Sequence, residues 1–221
     1  MNNVWFFGDS FCHPCQQPTP DWWWGKKFAD HLNYVVELKS QGGSSIDFMS
    51  LELQENIKNF KEDDMVIISY TTPYRFFLYN KNISLINDLK FDNNIDIVHE
   101  NHYDKNIVDA VKKFLLYLYD DKYHLKLWYS TIFYVQNTLV PLIKSKNTKV
   151  IEFYSFKPPI YNDFLPFNLK DLPIAEDFII DITSKFGFKS EVFLQSNGHF
   201  GDENTPKNFN LDWSKYMLEQ I

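Results

Sequence analysis

The chain has 221 residues, 44% of them hydrophobic, and a formal net charge of -7. That is enough apolar material for one sizeable core, while the acidic balance and the absence of any Lys/Arg cluster exclude a phosphate-backbone partner. No basic stretch with an apolar run and a small-residue cleavage site opens the chain, and no apolar run has the length of a membrane span, so a cytoplasmic protein with neither a nucleic-acid nor a membrane partner is expected.

Val4-Trp5-Phe6-Phe7 is a short run rich in β-formers, closed at once by Gly8-Asp9-Ser10. This predicts a buried strand that delivers a serine into a tight turn. Gly8 permits the torsions of such a turn and Asp9 can bond back to nearby amides. A serine held there is a candidate nucleophile once a base removes its proton. The next motif, Cys12-His13-Pro14-Cys15, admits two readings. It is either a pair of reduced structural thiols or a redox dithiol. His13 adds one zinc-type ligand, but no second cysteine pair completes a site.

Asp21 is read as the cap of a helix carrying Trp24, Phe28 and Leu32 on one stripe. Tyr34 to Leu38 reads as a second strand. Ser40-Gln41-Gly42-Gly43-Ser44-Ser45 and a helix from about Ile46 to Phe60 follow it. Strand, glycine turn and helix together present free backbone amides. Met65 to Tyr70 is a continuous apolar run that fits a strand covered on both faces. Its end, Thr71-Thr72-Pro73-Tyr74-Arg75, would emerge beside Ser10 if the strands are parallel, the edge where ligands gather. Thr71 or Thr72 can donate to an oxyanion, and Arg75 either holds an anionic substrate group or forms an ion pair.

Residues 76–101 read as an insertion near the site. Helical patterns follow from about Asp104 and from Tyr123 toward Pro141, and His99, His102 and His124 show no ligand spacing. Lys149 to Tyr154 returns to a strand, which Pro158-Pro159 breaks. A helix around Ala175 to Phe186, a strand over Glu191 to Leu194 and a C-terminal helix near Trp213 to Ile221 complete the pattern. Between the last two lies a polar loop, Gln195 to Gly201, with His199 between small residues. Aromatic residues make up 18% of the chain, a supply that suits both a core and a pocket wall.

Phe7-Gly8-Asp9-Ser10, Gly42-Gly43-Ser44-Ser45 and Gly198-His199-Phe200 stand in the order and spacing that resemble the SGNH (GDSL-type) hydrolase superfamily, across nearly the whole chain. The resemblance implies a single domain over 1–221 with a flavodoxin-like three-layer α/β/α fold and a central parallel sheet. The alternation of strands and helices points to a parallel sheet independently. It further implies Ser10 as nucleophile, His199 as general base, and an oxyanion hole from the amides of Ser10 and Gly42 with an asparagine side chain.

Two positions depart from the family pattern. The third block carries Thr71 where the family has asparagine, and the acid three residues before the histidine is replaced by Ser196. His199 could be oriented by Ser196 or a backbone carbonyl, or by Asp202 or Glu203 from the other side. Some phage-encoded members are similar in their Thr-Pro-Arg type turn. The resemblance implies a serine esterase acting on a small acyl, for example acetyl, ester of a carbohydrate or similar polar molecule, with no metal or organic cofactor. Acyl transfer to an alcohol, a catalytically impaired glycan-binding protein, and a Cys12/Cys15 dithiol oxidoreductase stay open as alternatives.

Overall fold

A computed structural model describes residues 1–14, 19, 21, 23–78, 81–84, 104–117, 120–159, 168–175, 215, 217 and 219. Four strands, β1 (Asn3–Phe7), β2 (Val35–Leu38), β3 (Met65–Tyr70) and β6 (Lys149–Tyr154), form a parallel sheet in the order β2-β1-β3-β6. β4 (Arg75–Leu78) and β5 (Lys81–Ser84) form a separate antiparallel pair, with Arg75 opposite Ser84. These strands lie at the start of the segment read as an insertion, where none was expected. Residues 85–103 lie outside the described residues.

Parallel strands joined by helices must be covered on both faces, and the side-chain alternation divides the core accordingly. Val4, Phe6, Met65, Ile67, Ile151 and Phe153 face one way, into a core with Trp24, Phe28 and Ala29 of α1 (Trp24–Leu32). Trp5, Phe7, Val66, Ile68 and Tyr70 face the other way. They pack on Ile46, Met49 and Leu53 of α2 (Ile46–Asn56) and on Trp128 and Ile132 of α4 (Asp121–Tyr134). This is the expected three-layer α/β/α arrangement, and all six residues of β3 are buried in it.

The helix boundaries refine the sequence reading. Asp21 does not cap α1. Its N-cap is Trp23, which makes no side-chain cap bond, because the helix begins where Trp23 and Trp24 bury their rings against Phe6. Its end is closed by Asn33 in the left-handed conformation, φ 58°, whose N–H returns to Ala29 and Asp30. α2 begins at Ser45, whose Oγ accepts from Phe48 N at 3.2 Å, a cap that contributes about 1 kcal/mol.

α3 (Lys105–Tyr117) matches the third helical pattern. Pro141 does not end the helical run that includes α4. The run passes through a π-turn, Val135–Leu139, into α5 (Val140–Lys144), and Val140 N–H bonds to Val135 O, five residues back. That wider turn precedes the residue that can neither donate nor tolerate a close i−4 carbonyl. It also points Gln136 inward, where Nε2 donates to Tyr154 OH (3.2 Å) and Oε1 accepts from Lys170 N (3.1 Å).

Asp64 pins the amino edge of the sheet. Its buried carboxylate accepts from Asn3 N (2.8 Å), Trp5 Nε1 (3.1 Å) and Lys61 N (3.1 Å). Asp64→Ala orphans all three donors, and at about 1 kcal/mol or more each it is expected to lower stability by about 3 kcal/mol in urea unfolding. A loss below about 1 kcal/mol would show that water replaces the carboxylate there. No helix among the described residues is long and apolar enough to cross a membrane.

Candidate active site

All four strands of the main sheet run the same way, so their carboxyl ends meet at one edge. In the order β2-β1-β3 the chain reverses its direction of spread at β1, which makes the end of β1 the crevice where open α/β sheets bind ligands. Gly8, Asp9 and Ser10 stand there. Gly42 follows β2, Thr71 follows β3, and Ser155 and Phe156 follow β6.

Gly8 has φ 135°, a conformation that side chains rarely adopt, and a Cβ on it would stand 2.6 Å from Ser69 O. Its carbonyl is the hinge of the site. It accepts from Gln41 N at 3.1 Å and from Ser44 Oγ at 2.7 Å, tying the glycine turn after β2 to the serine turn after β1. Ser40 Oγ donates to Cys12 O at 2.6 Å and fixes the same two loops further along.

Asp9 is fully buried and holds the turn in place. Its Oδ1 accepts from Phe11 N at 3.0 Å, closing the Asx turn expected from the sequence, and also from Ser155 Oγ (2.9 Å) and Ser69 Oγ (3.3 Å). The two serine hydroxyls also bond to each other. Its Oδ2 accepts from Arg75 Nη1 at 2.6 Å. Of the two roles the sequence offered Arg75, the described geometry contains the ion pair: the side chain is 11% exposed and its guanidinium lies over the ring of Phe156 at 5.2 Å.

The same Arg75 Nη1 donates to Thr71 Oγ1 at 2.8 Å. Thr71 is buried, and α4 fixes its backbone, since Trp128 Nε1 donates to Thr71 O at 3.0 Å. One turn earlier on α4, His124 Nε2 donates to Pro73 O at 2.6 Å and its ring stacks on Phe76 at 4.4 Å. His124 is thus a packing residue of the turn, as its lack of ligand spacing implied.

Ser10 Oγ is buried and has no hydrogen-bond partner among the described residues. Nor do the amides of Ser10 and Gly42 make a hydrogen bond among those residues. The Ser10 hydroxyl is thus a buried polar group left open, the kind that is rare in a packed turn. Ser196, His199 and Asp202 lie outside the described residues, as does Cys15. Cys12 is a free, buried thiol. Burial, with the Asp9 carboxylate nearby, pushes its pKa well up, the direction opposite to that of a reactive thiolate. Burial also lowers the pKa of the His13 imidazole, and the His13 backbone N–H donates to Ser10 O at 3.5 Å.

Sequence reasoning missed Ser69 and Ser155. Ser69 interrupts an otherwise apolar strand and shares a face with Met65 and Ile67, which is a readable signal for a polar partner at the carboxyl edge. Ser155 carries no such signal, because only the β3–β6 register brings it to Asp9. Searches against protein-family models and curated proteins found no match to this chain.

Proposed function

We propose that this chain is a serine esterase of the SGNH type, which removes a small acyl group from a polar ester such as an acylated carbohydrate. The observation that carries the reading is the buried Ser10 Oγ at the end of β1, which has no partner among the described residues, at the strand edge where the amides of Ser10 and Gly42 also make no hydrogen bond among those residues. In the reaction His199 takes the proton of Ser10 as Oγ bonds to the ester carbon. The carbonyl oxygen becomes an oxyanion held by the two amides and by Thr71. Collapse breaks the ester C–O bond, and His199 returns the proton to the departing alcohol. Water, deprotonated by His199, then displaces the acyl group and restores Ser10. No metal or organic cofactor enters these steps.

Intact-mass labelling with a fluorophosphonate tests the proposal. Wild type is expected to gain one adduct, with phosphorus bonded to Ser10 Oγ and fluoride lost. Ser10→Ala is expected to gain none, and His199→Ala to react at least about a hundredfold more slowly, the usual contribution of a general base. A folded wild-type protein that gains no adduct would overturn the esterase reading. It would favour the non-catalytic glycan-binding alternative, to which the threonine in place of asparagine at position 71 also points.

A further inference from the structure

Arg75 joins two groups of the site that the sequence treats separately. One nitrogen, Nη1, donates both to Asp9 Oδ2 (2.6 Å) and to Thr71 Oγ1 (2.8 Å). A threonine hydroxyl has one proton and two lone pairs. With a lone pair facing a guanidinium, its proton points away from Arg75, and no acceptor for that proton exists among the described residues. Such an arrangement polarises a donor. A hydrogen bond accepted from a charged group strengthens the bond the same hydroxyl donates.

Resting on the esterase reading, we infer that Arg75 is a positioning residue that makes Thr71 the third oxyanion donor, in place of the asparagine amide that the resembled family carries at this position. The amide of asparagine has a fixed N–H direction, whereas a threonine hydroxyl rotates freely. Left alone, it would as readily turn its lone pairs as its proton toward the oxyanion. Arg75 removes that freedom, and it does so while its charge is balanced by Asp9, so that it does not itself compete for the substrate oxygen. The backbone of Thr71 is held independently by Trp128 Nε1, which leaves the side chain as the only adjustable part.

The experiment is the second-order rate of Ser10 phosphonylation by a fluorophosphonate, with the melting temperature recorded for every variant. Thr71→Val, which keeps the shape and removes the hydroxyl, is expected to slow labelling about a hundredfold, the effect of removing one oxyanion donor. Thr71→Ser is expected to restore it to within about threefold of wild type, since a hydroxyl in the same place can be polarised in the same way.

Arg75→Met is expected to slow labelling in the wild-type background by about tenfold more than in the Thr71→Val background, because part of its effect passes through the hydroxyl. If Arg75→Met does not fold, Arg75→Lys takes its place in the same comparison. Labelled wild type with Thr71→Val equally fast would leave the esterase standing and overturn the inference. Equal Arg75 effects in both backgrounds would do the same, assigning Arg75 to Asp9 alone. A wild type that is not labelled at all would remove the esterase reading, and the inference with it.

Discussion

Asp9→Ala is expected to cost about 3–5 kcal/mol in urea unfolding, the range for breaking a buried ion pair by removing one partner. Against a total stability of roughly 5–15 kcal/mol, this would leave a domain close to unfolding at ambient temperature. The loss has three sources. Arg75 keeps its charge with only 11% exposure, Phe11 N–H loses its acceptor, and Ser69 and Ser155 lose their carboxylate acceptor. The cost should therefore fall when the cation is removed as well. In the double variant Asp9→Asn/Arg75→Met no charge is stranded. Its loss of stability is expected to be smaller than the sum of the Asp9→Asn and Arg75→Met losses by at least about 1.5 kcal/mol, the lower range for a charged hydrogen bond. Additive losses, or an Asp9→Ala variant within about 1 kcal/mol of wild type, would mean that water enters and takes over the carboxylate's role.

The parts of the fold that the sequence revealed are those fixed by local pattern. β3 coincides with the mainly apolar run Met65–Tyr70, as expected of a strand buried along its whole length, and β6 with the β-former-rich stretch Lys149–Tyr154, whose Lys149 and Glu152 are less buried at the edge of the sheet. α1 was readable from Trp24, Phe28 and Leu32, yet its cap was not. The helix starts where two tryptophans find the sheet, and a polar residue three positions earlier has no part in it.

The β4–β5 pair escaped notice because only Tyr79 and Asn80 separate its strands, with no glycine to mark a tight turn. The site divides in the same way. Ser10, Gly42 and Thr71 follow strands, so the parallel sheet alone brings them to one edge. The Asp9 anchor could not be read, because its partners stand 60, 66 and 146 positions away and meet only through the registers of β1 with β3 and β3 with β6.

Gly8→Ala tests that anchor from the backbone side and is expected to abolish Ser10 labelling while costing roughly 2–5 kcal/mol, a strained torsion and an overpacked contact together. A Cβ at position 8 would stand 2.6 Å from Ser69 O and 2.7 Å from Ser69 Cβ, so the conflict involves both the backbone and the side chain of β3. The side chain can be removed. The carbonyl cannot, since Ser69 lies in a fully buried strand paired on both sides. Gly8→Ala/Ser69→Gly is therefore expected to recover only part of the stability and none of the labelling: the φ of 135° remains unfavourable, and Ser69 Oγ no longer holds Asp9. Labelling restored in that double variant would place the conflict in the serine side chain alone. Labelling still absent, with the protein folded, would show that removing the serine side chain does not relieve the conflict at Gly8.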